Sequence, residues 1–79
     1  MPRVIQPVKV GKKKYYAVFS TVVMDFLTPF YKSVRELKKN HPEYKSLRVA
    51  NLFGRAGIRG SVEGGDRLTV RMKVYSIGR

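Results

Sequence analysis

The sequence contains no cysteine, a single histidine and only five acidic residues. Without cysteine, neither a disulfide nor a thiolate metal site can support the fold. The carboxylates Asp25, Glu36, Glu43, Glu63 and Asp66 form no spaced pair of the kind used for metal binding or acid–base work, so neither a metal nor a cofactor is expected. His41 sits just before Pro42, where a turn or capping role is the simpler reading. No stretch has the spacing of a nucleotide phosphate loop. No apolar run approaches the roughly 20 residues of a membrane span. The opening segment MPRVIQPVKV lacks the apolar stretch of a secretory signal, so the expected location is cytoplasmic.

What the chain does have is positive charge. Seventeen Lys and Arg on 79 residues give a net charge of +12. An imbalance of this size costs self-repulsion in the folded state and points to a polyanionic partner, of which nucleic acid is the commonest. Residues 1–24 carry five basic groups and no acid, and residues 48–79 carry seven, six of them Arg. Lys acts as a mobile point charge, whereas Arg makes planar, bidentate contacts. The 43% hydrophobic fraction, with nine aromatics, is enough for a packed core and argues against a disordered basic tail. Residues 1–79 are read as one domain.

Val4 to Val10 reads as a strand, with Val4, Gln6, Val8 and Val10 on one face and Pro7 marking an edge or a bulge. Gly11 to Lys14 reads as a turn, and Tyr15 to Met24 as a second strand rich in β-prone residues. Joining the apolar faces places Val10 opposite Tyr15 and Val8 opposite Ala17. Lys12, Lys13 and Lys14 then lie at the hairpin tip, and Tyr16 is exposed beside Lys9. A helix is expected from Thr28 as N-cap and Pro29 at its first position, with Phe30, Tyr31, Val34 and Leu37 forming the buried stripe. It closes near Asn40, before His41 and Pro42. Leu47 to Phe53 reads as a strand with Leu47, Val49, Asn51 and Phe53 on one side; a second helix starting at Pro42 is the alternative.

The last segment alternates strictly. Leu68, Val70, Met72 and Val74 interleave with Arg67, Thr69, Arg71, Lys73 and Tyr75, the pattern of a strand with one buried face. Register follows the buried face, so a three-residue loop, Gly64-Gly65-Asp66, should pair Val62 with Leu68, Gly60 with Val70 and Ile58 with Met72. On the open face Glu63 then faces Arg67, Ser61 faces Thr69 and Arg59 faces Arg71. Like charges directly opposed across a ladder are destabilising, and a phosphate between them would relieve the repulsion.

The expected fold is α+β, in the order β-β-α-β-β-β, with a mostly antiparallel curved sheet and one helix packed on one face. The other face and the hairpin tips are expected to be basic. The expected function is non-catalytic nucleic-acid binding through Lys9, Lys12, Lys13, Lys14, Arg55, Arg59, Arg67, Arg71 and Lys73, with stacking from Tyr16 and Tyr75. Structured RNA in a ribonucleoprotein is favoured, because the Arg- and Gly-rich second half suits irregular RNA and no helix resembles a major-groove reader. Duplex DNA, bound as a chromatin or regulatory protein, is the alternative. A small basic ribonuclease using Arg71, Tyr75 or His41 is a further one. A module binding acidic protein or anionic lipid is a third class, and the lack of an amphipathic helix with a large exposed apolar face counts against lipid.

Overall fold

The computed structural model describes residues 2–78. Its strands are β1 (Arg3–Val10), β2 (Lys13–Ser20), β3 (Asp25–Phe26), β4 (Ile58–Arg59), β5 (Ser61–Glu63), β6 (Arg67–Val70) and β7 (Lys73–Ser76), with one α-helix, α1 (Val34–Asn40). They form a four-stranded sheet in the order β3-β2-β1-β4 and a three-stranded sheet in the order β5-β6-β7. All pairings within these sheets are antiparallel except β1 with β4. The class is α+β as the sequence indicates.

The β1–β2 hairpin is the spine. Val8 lies opposite Tyr15 and Val10 opposite Lys13, a register two residues tighter than the sequence pattern proposed. A two-residue turn, Gly11-Lys12, makes it possible, with Gly11 at φ 60° in the position where a II′ turn takes glycine. A shift of two leaves every side chain on its original face, so apolar patterning cannot detect it. Lys13 and Lys14 are therefore strand residues, and of the three lysines Lys12 is the one in the turn.

Both faces of this hairpin are covered. Val8, Tyr15 and Ala17 pack with Phe30, Ile58, Leu68 and Val70 on one side. Ile5 and Val18 pack with Tyr31 and Leu37 on the other. The second sheet covers the first side and α1 the second, so the hairpin has no wholly open basic face.

β2 stops at Ser20, short of Met24. The Ser20 hydroxyl accepts from the amides of Val22 and Val23, which starts a turn that returns the chain as β3. The helix starts later than Thr28. Thr28 is buried, and its hydroxyl accepts from the Val18 amide at 3.1 Å, so it is not available as a cap. Phe30 and Tyr31 are extended: Phe30 bridges to Ile77 and Tyr31 to Tyr16. Extended backbone sends successive side chains to opposite sides, which is why these neighbours belong to different cores. The real N-cap is Ser33, whose hydroxyl accepts from the Glu36 amide, and Ser33-Val34-Arg35-Glu36 has capping-box spacing.

Residues 47–53 are neither a helix nor a named strand. Val49 makes a single parallel bridge to Ile5, and Leu47 and Phe53 pack into opposite cores rather than sharing a side. The alternative helix at Pro42 is reduced to a 3-10 turn over Pro42–Tyr44.

The β5–β6 register is the expected one, with Val62 opposite Leu68, Ser61 opposite Thr69 and Glu63 opposite Arg67. Before β5 the chain leaves this sheet. A Cβ on Gly60 would stand 2.9 Å from the Thr69 carbonyl oxygen, so glycine allows the corner at which Ile58 and Arg59 cross over to pair with β1. The expected Ile58–Met72 and Arg59–Arg71 pairs are therefore not made. The long C-terminal strand is instead a hairpin: β6 ends at Val70, and Arg71 and Met72 form its turn at φ 51° and 68°. Met72 is 96% exposed.

Two positive φ values at the centre of a turn define type I′, which favours Asn-Gly. A left-handed non-glycine residue costs about 1–2 kcal/mol, and glycine's greater freedom in the unfolded chain offsets part of that. Met72→Gly is expected to stabilise the protein by about 1 kcal/mol, seen as a higher urea midpoint at unchanged m-value. An unchanged or lower midpoint would contradict the turn geometry.

Candidate nucleic-acid interface

The tight hairpin register and the parallel β4 bring three cations into one row. Lys9 lies opposite Lys14 on β2 and beside Arg59 on β4. Side chains directly opposed across strands stand about 4.5–5.5 Å apart at Cβ. All three are exposed. Arg55 joins Lys9 and Lys14 at a cleft of about 220 Å³ lined also by Pro7, Asn51 and Ile58. Among the described residues no ion pair involves any of these four cations. Lys12, in the adjoining turn, and Lys13, opposite Val10, are exposed close by. The like-charged opposition expected between Arg59 and Arg71 thus occurs elsewhere and with more members.

An amide network that runs from a buried glutamine to an exposed asparagine shapes the cleft wall. Gln6 is fully buried. Its Nε2 donates to the Pro7 carbonyl at 2.9 Å and to Asn51 Oδ1 at 3.0 Å, and its Oε1 accepts from the Leu52 amide at 2.7 Å. Asn51 Oδ1 also accepts from the Phe53 amide, and its Nδ2 donates to the Gly54 carbonyl. An unpaired buried amide costs about 1–3 kcal/mol, so this closed network holds residues 51–54 against β1. Neither Gln6 nor Asn51 was among the expected site residues. The available signal was a polar residue placed on an apolar strand face at both positions.

The other expected residues fall into separate surroundings. Arg67 lies opposite Glu63 in the second sheet. Arg71, Lys73 and Tyr75 gather round Asp25 and Phe53 at a second cleft of about 140 Å³. Tyr75 is half-buried against Phe26 and Phe30, with ring centroids 5.3 and 5.4 Å away, and does not stand on an open strand face. Its hydroxyl donates to Asp25 Oδ1 at 2.7 Å, and Lys73 Nζ lies 3.2 Å from Oδ2. The Arg71 guanidinium lies 4.7 Å from the centre of the Phe53 ring.

The Tyr75 hydrogen bond holds Asp25 below its ordinary value against the opposing effect of partial burial, aided by the Phe26 amide and Lys73. Burial, and then the Asp25 carboxylate, push Tyr75 up to about 12. At pH 7 the carboxylate is therefore charged and the phenol neutral. Because the folded value of Asp25 is depressed, its contribution is present above the ordinary value of 3.8 and is lost as pH falls through the folded one.

Tyr16 is half-buried opposite Pro7, against the core that holds Tyr31, rather than exposed beside Lys9. His41 caps the C-terminal end of α1, its amide donating to the Leu37 carbonyl, and its Nε2 lies 2.9 Å from the Tyr31 hydroxyl. Burial raises Tyr31 above its ordinary value. His41 thus sits with the helix-side core, whereas Tyr75 packs on the core across the hairpin, so the structure does not bring His41 to Arg71 and Tyr75.

Among the described residues no group of three His, Cys, Asp or Glu could hold a metal ion, and no helix is long and apolar enough to cross a membrane. No family model, curated protein or solved structure matches this chain.

Proposed function

We propose that this is a non-catalytic, cytoplasmic nucleic-acid-binding protein that grips the phosphates of a structured RNA with Lys14, Lys9 and Arg59, and with Arg55 in the adjoining cleft. The observation that carries this reading is the row itself. Each directly opposed like-charge pair destabilises a sheet by about 0.2–1 kcal/mol, and phosphate oxygens lying between the cations convert that repulsion into attraction. The row spans two inter-strand spacings, about 10 Å. One strand of a duplex carries a phosphate per about 3.4 Å of axis, so the row lies against two or three in succession. Lys12 and Lys13 add mobile charge at the end of the hairpin. Contacts of this kind position a protein without reading base sequence. RNA is favoured over duplex DNA by the aromatic cleft close by, since RNA recognition uses unstacked bases laid on aromatic and Arg side chains.

A salt titration tests the proposal. With four cations on phosphates, log affinity should fall with log salt at a slope of about −3.6 on a duplex and about −2.8 on a single strand. A slope near zero contradicts phosphate binding. RNA shortened on a gel during the titration would make the protein a nuclease instead.

A further inference from the structure

We infer that the cleft between the β2–β3 turn and the β6–β7 hairpin binds one unstacked pyrimidine base of an RNA strand, cytosine in preference to uracil. This rests on the nucleic-acid reading above and adds base selection to it.

The first ground is the lining. Phe19 meets Phe26 and Phe53 edge-on, with centroids 5.0 and 5.3 Å apart, and Tyr75 meets Phe26 at 5.3 Å. Arg71, held over Phe53, adds a guanidinium, the other planar group on which bases stack. The second ground is size. An apolar cavity of about 150 Å³ holds one benzene ring. At about 140 Å³ this open cleft has room to seat a single ring, and the second ring of a purine would stand outside it.

The third ground is the polar edge. A carboxylate offers about four acceptor positions. Asp25 Oδ1 accepts from Tyr75 and from the Phe26 amide, and Oδ2 from Lys73, which leaves one position on Oδ2. The side chain retains 35% of its surface. The exocyclic amine of cytosine donates to a carboxylate, whereas uracil presents a carbonyl oxygen at the same place. The fourth ground is strain. Met24 and Arg71, on the two lips of the cleft, hold φ of 55° and 51°. Left-handed non-glycine residues concentrate at ligand clamps and switch regions. Finally, Ile58 contributes to the walls of both clefts, so a strand leaving this one has the cationic row on the far side of the same segment.

The test is titration of the full chain with hexamers of cytidylate, uridylate and adenylate in 0.15 M salt, followed by tyrosine fluorescence. The expected order is C, then U, then A, with C about tenfold tighter than A, as one lost base stack allows. Asp25→Asn should erase the preference for C over U, because an amide can donate to the uracil carbonyl. Phe53→Leu keeps apolar volume and should bring C and A together. Circular dichroism checks that each variant folds, and the wild-type order is decisive without either. Equal affinities, or A tightest, overturn the inference, as do unchanged ratios in both folded variants. Lys9→Gln with Lys14→Gln should weaken all three hexamers alike. If it does while the ratios are flat, phosphate binding stands and the base site falls; absence of all binding overturns both.

Discussion

Replacing Lys9, Lys14 and Arg59 together by Gln is expected to lower affinity for structured RNA about a hundredfold while making the protein more stable. The binding loss follows from counterion release. Each phosphate contact on a duplex adds about 0.9 to the salt slope, which at 0.15 M salt amounts to roughly fivefold in affinity, so three contacts give about 10². The slope itself should fall by about 2.7. The gain in stability follows from the register. Lys9 opposes Lys14 on one side and Arg59 on the other, and relieving two like-charge pairs should add about 1 kcal/mol to folding. Opposite signs for binding and stability separate a row kept for a ligand from a merely solvated one. Net charge is controlled by a second variant, Lys32→Gln, Arg35→Gln and Lys39→Gln, on exposed positions in and beside α1. Both variants lower the net charge of +12 by three. Equal loss in the two would assign binding to overall charge; loss confined to the first assigns it to the row. Electrophoretic mobility shift and urea denaturation read the two quantities.

That row shows where sequence reasoning reaches and where it stops. Apolar alternation correctly set the β5–β6 register, because a one-residue slip there would expose Leu68 and Val70. The same logic is blind to slips of two, and a slip of two is what replaces a Lys9–Tyr16 pair with Lys9–Lys14. The third member, Arg59, arrives through a parallel pairing with a strand some 50 residues away, which no local pattern encodes. The break at Arg71-Met72 was hidden because neither residue is Gly or Asn, so the alternation reads straight through the turn. Two N-cap signals lay within the chain, Thr28-Pro29 and Ser33 with Glu36. Burial of the Thr28 hydroxyl on Val18 decided between them, and that is a tertiary contact. Gln6 and Asn51 were each visible as a polar residue on an apolar face. Read jointly, two such residues point to one another, and the structure joins them at 3.0 Å.

Phe30→Ala is expected to remove about 3–5 kcal/mol, the range for truncating a buried aromatic. Stability for a chain of 79 residues is on the order of 4–12 kcal/mol, so this variant stands at or near the limit of folding. The size of the effect comes from position. Phe30 has no exposed surface, lies 4.7 Å from the Phe26 ring and 5.4 Å from Tyr75, and ties the segment before α1 to Ile77 beyond β7. Val22→Ala, at a residue 75% exposed, should cost less than about 0.5 kcal/mol. A helix beginning at Pro29 would also bury Phe30, so truncation alone does not separate the two geometries. Coupling does. On such a helix Phe30 and Leu37 share a stripe and a core, whereas in the structure Phe30 packs with Val70 and Leu37 with Ile5 across the hairpin. Phe30→Leu keeps enough volume to leave a measurable protein. In urea denaturation it should combine with Leu37→Ala additively, within about 0.5 kcal/mol, and depart from additivity with Val70→Ala by about 1 kcal/mol or more. The reverse pattern would place Phe30 on the helix.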